Sequence, residues 1–348
     1  MKPGDDFILA PASPGEIFPF AGSLEEQIVF LLHFATRAPS TYNTQPWKFR
    51  VSVDGVEVFA DYTRRMPVAD PGGRELLMSI GAAVMNLRVA AAHFGYLCNV
   101  IYNHSGSSEE PLASVRLTPG AVESPEALHL ASLFGYITRR HTNRHPFLLS
   151  RIPSAILGRV SGLAEGTDVI VVSSTDGDRN GRIAEVVSRG DQQLMGDANY
   201  RRNISAWLHA HAASHVDGLP AQAFGFDGTL VTIAPWATRV IDIGKIRAAH
   251  DKNLCLEAPG LIALCSEDRV PQYVAVGELL EQMLLVLTGE GLHTSYFNMP
   301  IQVPALRLQL QQILGAAVPP QLLLRVGYSL SEPIQTARRP LEDVILRM

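Results

Sequence analysis

Apolar residues recur three and four positions apart at Ile28, Leu31, Leu32 and Ala35, predicting a helix that Ser23 and Glu26 open as a capping box and Pro39 closes. A strand is expected from Trp47, and the alternation of Val56-Glu57-Val58-Phe59-Ala60 predicts another. From near Gly81 to Gly95 the chain is apolar on most sides, which predicts a buried central helix. Strands are expected after it at Cys98-Asn99-Val100-Ile101 and Ala113-Ser114-Val115-Arg116-Leu117.

The same order returns downstream. Leu261-Ile262-Ala263-Leu264 corresponds to the second strand and Gly277 to Gly291 to the central helix; Thr294-Ser295-Tyr296-Phe297 and Leu322-Leu323-Leu324-Arg325-Val326 correspond to the strands after it. This predicts one α+β unit occurring twice, residues 1–123 and 124–348, against the competing reading that buried helices between glycines recur by chance. The first unit begins with a proline-rich arm from Lys2 to Gly22, and the second opens on Ser124 as a cap with Pro125 behind it. Asp191 to Trp236 has no counterpart in the first unit and reads as an insertion.

With 348 residues, 47% of them hydrophobic, the chain can bury a large core, and disorder is not indicated. A net charge of −5 lacks the basic footprint of a dedicated nucleic-acid binder. Cys98, Cys255 and Cys265 are odd in number and lack metal-type spacing, so free thiols and a reducing compartment are expected. The acids and prolines of the first residues do not form a signal-like run, and apolar runs such as Leu284-Leu285-Val286-Leu287 fall short of the ~20 residues of a membrane span. The expectation is a cytoplasmic protein acting on small molecules, with neither membrane nor nucleic acid as partner.

Candidate chemistry concentrates in Ala38-Pro39-Ser40-Thr41-Tyr42-Asn43-Thr44-Gln45-Pro46-Trp47. Ser40, Asn43 and Gln45 offer a hydroxyl and two amides between stiffening prolines, which suits the carbonyl and N–H edge of an isoalloxazine ring; an ordinary polar turn is the alternative. Arg139, Arg140 and Arg144 stand close together with Thr142 among them and no acid, in Arg139-Arg140-His141-Thr142-Asn143-Arg144. Two guanidinium forks and a hydroxyl would cradle a phosphate monoester, and a solvated basic helix end is the other reading. Arg338 and Arg339 in the tail either close the same pocket or form a charged end. His209, His211 and His215 lack a carboxylate or cysteine at ligand spacing, so no metal is assigned. P-loop, dinucleotide-glycine and Gly-x-Ser-x-Gly templates are missing.

Together these residues resemble the nitroreductase family, and more closely its Acg-like branch of single-chain, internally duplicated FMN-binding proteins. The resemblance runs from about Glu25 to Ile345 and rests on Ala38 to Trp47, Arg140 to Arg144, and the ending Pro320 to Leu341. It implies a nitroreductase-like α+β fold whose two pseudo-repeats form an intramolecular pseudo-dimer, acting as a monomer with one FMN site. It implies that Arg140, His141, Thr142 and Arg144 contact the phosphate and ribityl chain, that Pro39, Ser40 and Asn43 contact the flavin across the interface with Gln45 a weaker candidate, and that Arg338 is a phosphate ligand. Asn298 and Met299 stand where many family members carry Glu-Gly beside flavin N5, and Thr336 replaces a frequent lysine. The implied function is hydride transfer from NAD(P)H to a nitro compound, quinone or similar acceptor, with low-turnover FMN binding beneath a lid as the alternative. Destruction of FMN, as in the related dimethylbenzimidazole synthases, fits less well. No side-chain acid is assigned a catalytic role.

Overall fold

A computed structural model describes residues 17–103, 110–120, 123–210, 215–224, 226 and 228–346. Helix α1 (Leu24–Ala35) carries the capping box in full: Glu26 N donates to Ser23 Oγ at 3.2 Å and Ser23 N to Glu26 Oε2 at 2.7 Å. Then come β1 (Trp47–Ser52), β2 (Gly55–Ala60), α2 (Arg74–His93), β3 (Tyr96–Tyr102) and β4 (Ala113–Pro119). Helix α3 (Pro125–Ser132) starts on the Ser124 cap, and α4 (Ser154–Gly162), β5 (Ile170–Ser174), α5 (Gly177–Gly196) and α6 (Ala198–Ser205) follow. Two short strands, β6 (Leu208–His209) and β7 (Leu219–Pro220), precede α7 (Leu230–Val240) and α8 (Gly244–Leu256). The chain continues with β8 (Gly260–Cys265), α9 (Val270–Gly289), β9 (His293–Tyr296), α10 (Pro304–Leu314) and β10 (Pro320–Gly327).

The fold is α+β. One sheet has the order β1-β2-β4-β3 and the other β5-β8-β10-β9, with all adjacent pairs antiparallel. In each, a helix of 20 residues lies between the second and third strands in chain order, α2 in the first and α9 in the second. The tail returns to the first sheet: Phe49 N donates to Val344 O at 2.8 Å, beside a parallel bridge between Phe49 and Ile345.

Both central helices start earlier than their glycines imply. Gly81 and Gly277 are not helix openings but the crossing point of α2 and α9. A Cβ on Gly81 would lie 2.1 Å from Val274 O, and one on Gly277 1.9 Å from Met78 O, so only hydrogen fits between the backbones. Periodicity cannot separate an opening glycine from a crossing glycine, because both interrupt the same apolar run. Gly95 and Gly291, by contrast, do end their helices, at φ of 83° and 72°. Both helices are long and apolar enough to cross a membrane, but 89% and 67% of their apolar windows are buried in the protein.

Candidate functional site

The turn after α1 holds three non-glycine residues in the left-handed region, Tyr42, Asn43 and Gln45, at φ of 50°, 56° and 50°. Such backbone costs roughly 1 kcal/mol or more per residue and persists only where its surroundings enforce it. Ser40 does so: its carbonyl accepts from Asn43 N at 2.9 Å and its hydroxyl from Gln45 N at 2.9 Å. The reversal turns Pro39 to Asn43 towards a cavity of about 1280 Å³, measured out to its open mouth, and turns Gln45 away from it.

Gln45 is fully buried and spent on the protein. Its Nε2 donates to Val216 O at 2.8 Å, and its Oε1 accepts from Arg339 N at 2.8 Å. Asn43 does line the cavity, yet its Nδ2 donates to Gly218 O and Ala337 O, both at 3.1 Å. The turn that lines the cavity is therefore also the anchor for residues 216–218 and for the tail.

The segment Arg140 to Arg144 runs beside β9, with Thr142 bridged to Thr294. Asn143, fully buried, points inward, its N donating to Thr294 O at 2.9 Å and its Nδ2 to Ser331 O at 2.8 Å. Arg140, His141, Thr142 and Arg144 line the cavity. The two arginines have different protein partners. Arg140 lies with Glu281, its Nε 3.3 Å from Oε1, and its Nη2 donates to Arg37 O at 3.0 Å. Arg144 lies with Arg247, Tyr42 and Tyr296, and burial followed by Arg247 pushes it down to about 10.

Arg338 completes the Arg140 end. It donates to the carbonyls of Thr36 and Arg37 at 2.9 and 3.0 Å, to Thr336 Oγ1 at 2.8 Å and to Asn43 Oδ1 at 3.2 Å, with no carboxylate among these partners. Burial, then Arg140 and Arg37, lower it to about 9. His141 is pushed down to about 4 by burial and then by Arg140 and Arg338, so its ring is neutral at pH 7. Two guanidinium groups, Arg140 and Arg338, thus face one buried carboxylate, Glu281, whose own pKa burial raises, and the half-buried Arg37 adds positive charge beside Arg338. The surplus of positive charge is what a phosphate would offset.

Between these ends the wall includes Glu75 and Met78 of α2, Leu280 of α9, and Tyr296 to Met299. Asn298 and Met299 both line it; Asn298 Oδ1 accepts from Leu323 N at 3.1 Å, and the Tyr200 hydroxyl sits 3.0 Å from Met299 Sδ. Glu75 is missing from the sequence reading, since a lone acid in an apolar helix carries no motif. Its carboxylate accepts from Thr41 Oγ1 at 2.7 Å and Gln302 Nε2 at 2.9 Å, tying the strained turn to the loop after β9.

Asp191, the expected start of the insertion, is fully buried inside α5, and α6 follows that helix. Tyr200, Ile204, Leu208, Leu219, Ala221, Phe224, Val231 and Ala234 form a small core of their own together with Met66 and Ala69 from the first half. Tyr200, Leu219 and Phe224 of this core line the cavity. Arg64 pairs with Asp217, and its guanidinium lies 5.0 Å from the Trp207 ring. His209 and His215 stack at 3.6 Å, whereas His211 lies outside the described residues.

No family model matches the chain. It is 27% identical over 343 residues to the Mycobacterium tuberculosis protein named "Putative NAD(P)H nitroreductase Rv3131", covering 96% of this chain and 94% of that one. A second M. tuberculosis protein, "Putative NAD(P)H nitroreductase acg", is 26% identical over 323 residues, 90% of this chain and 93% of its own. Among solved structures, the FMN-dependent nitroreductase NfnB from Mycobacterium smegmatis in complex with NADPH aligns at 14% identity with a TM-score of 0.42, over 63% of this chain and 99% of that one. The resemblance to the Acg-like nitroreductases thus extends along nearly the whole chain.

Proposed function

We propose that this chain, similar along its length to proteins named as NAD(P)H nitroreductases, is an FMN-dependent oxidoreductase passing a hydride from NAD(P)H to a nitro compound, a quinone or another electron-poor acceptor. The observation that carries the reading is the unbalanced charge at Arg140 and Arg338 in the cavity wall. Glu281 offsets one of these cations, and a phosphate offsets the other. FMN, when bound, supplies the hydride exchange; the protein binds it, orients it and keeps water away. Arg140 and Arg338 are assigned to the phosphate, Arg144 to the ring, Thr142 and His141 to the chain between, and Pro39, Ser40, Asn43, Asn298 and Met299 to the walls. No step is assigned to a side-chain acid.

The two halves are read as one duplicated unit forming an intramolecular pseudo-dimer that works as a monomer. The repeated strand order and the paired 20-residue helices support this, as does the split of the site, with the strained turn in the first half and the arginine segment in the second. Purified protein should carry one FMN per chain, and two per chain would overturn the single-site reading. Stopped-flow reduction tests the activity: bleaching by NADH or NADPH supports the enzyme, whereas reduction by dithionite alone overturns it.

A second reading, a low-turnover FMN holder, is favoured by the way Asn43, Gln45 and Arg64 fasten residues 216–218, next to the cavity-lining Leu219, to the turn after α1 and the loop that follows β2. If that clasp limits access, Gln45→Ala should speed reduction and loosen FMN together. Unchanged rates and retention would remove the support for this reading.

A further inference from the structure

Beside the first cavity lies a second, of about 940 Å³ out to its mouth. Arg144, Arg247, Asp251, Tyr296 and Phe224 belong to both walls, while His145, His250, Gln222 and Arg325 belong to the second alone. Arg325, on β10, is 1% exposed. Its Nη2 donates to the carbonyls of Asn143 and His145 at 3.3 and 3.0 Å, and its guanidinium lies 4.0 Å from the Phe147 ring centre. Its Nε and Nη1 have no hydrogen-bond partner among the described residues. A guanidinium carries five N–H donors, so three of these are unused.

Among the described residues no acid is paired with this cation: Asp251 is the carboxylate that bears on it, and it is bonded by Arg247 Nε at 3.0 Å. Cys255 is held as a neutral thiol, burial pushing it up to about 12. Arg144, assigned above to the ring, adds a further positive charge to the shared wall, and Arg325 itself, lowered by burial to about 10, keeps its proton at neutral pH. Buried cations and buried unmade donors are costly, and a site that collects both is built for an anion.

We propose that the second cavity binds the anionic group, a carboxylate or a phosphate, of a small molecule that exchanges electrons in the adjoining cavity, with Arg325 as its counter-charge. This rests on the oxidoreductase reading for the word electrons, though not for the anion. Two sources share the chemistry: a carboxylate on the acceptor, or the 2′-phosphate that distinguishes NADPH from NADH. The shared wall places either beside the reacting centre.

The test uses the FMN-loaded protein. Steady-state turnover is compared for 4-nitrobenzoate against the neutral 4-nitrobenzamide, and reduction is compared for NADPH against NADH, in the wild type and in Arg325→Gln. We expect one of the two anionic preferences, read as a ratio of kcat/KM, to fall by at least tenfold in the variant, the loss of one charged hydrogen bond. Collapse of the nitrobenzoate ratio identifies the acceptor as the source, and collapse of the NADPH ratio identifies the donor. Calorimetric titration with 4-nitrobenzoate and with inorganic phosphate separates this proposal from the activity: binding that needs Arg325 without any turnover keeps the site and discards the oxidoreductase. Should Arg325→Gln fail to fold, His250→Gln and Arg325→Lys give the same comparison at the same cavity. Wild-type protein that binds neither anion and shows neither preference overturns the proposal.

Discussion

The two sheets share strand order and pairing but differ in what covers them. In the first, β3 and β4 alternate, with Ile101 66% exposed and Leu117 buried, so one face meets the central helices and the other meets water. In the second, every residue of β8 and β10 is buried. One side of that sheet joins the main core through Ile262, Leu264, Leu322 and Leu324. The other side packs Leu261, Ala263, Cys265 and Leu323 against Ile183 and Val187 of α5, Leu254 of α8 and Leu306 and Leu310 of α10. Sheets covered on both faces read as continuous apolar runs, and half-covered sheets alternate. The added layer is also what supplies Asp191, Arg247 and Asp251 to the cavity walls, so the asymmetry of the halves is the asymmetry of the site.

If the two central helices are equivalent partners, the comparison should hold at their crossing, where the largest effect is expected. Gly81→Ala and Gly277→Ala should each cost about 3 kcal/mol in chemical denaturation, because each Cβ meets rigid backbone. A large loss at one and none at the other would mean that the crossing is carried by one helix. The sheets themselves should then diverge. Leu323→Ala, fully buried between two layers, should cost about 3 kcal/mol, whereas Ile101→Ala on the open face should change stability by less than about 0.5.

The two ends of the site are told apart by ligand. Arg338→Ala should weaken FMN by about 10–100-fold and leave riboflavin affinity nearly unchanged, while Arg144→Ala should weaken both alike, as read by quenching of flavin fluorescence. Equal losses in Arg338→Ala would place that guanidinium in structure rather than on a phosphate. The smallest effect is on pH. His141 is neutral in the folded protein down to about 4 against an ordinary 6.5, so the unfolded chain binds the extra proton between those values. Stability therefore rises with pH across that window and is lost as pH falls through it, by up to about 1.4 kcal/mol per unit. His141→Gln in cofactor-free protein should flatten that part of the curve in urea titrations; an unchanged slope would show that the ring is not held neutral.

Much of this was legible in the chain. Local signals sufficed for the Ser23 and Ser124 caps, the alternating strands, the apolar central helices and the glycines that end them, because each depends on residues within one or two turns. Ten of the eleven residues singled out for a cofactor line one cavity; Gln45 does not. Its exclusion was beyond sequence, since a left-handed backbone at Tyr42, Asn43 and Gln45 decides which amides face inward, and that backbone is enforced by Ser40 and by partners such as Val216 and Arg339 from the far half of the chain. The same holds for the partners of Arg140 and Arg144, Glu281 and Arg338 for the one and Arg247 for the other. Composition and periodicity by themselves determined which segments bury their faces, and the run from Arg139 to Arg144 was legible as an anion candidate, whereas Arg325 was not. Only tertiary packing decided which charges are balanced, because a counter-charge is a matter of a few ångströms in space and not of spacing along the chain.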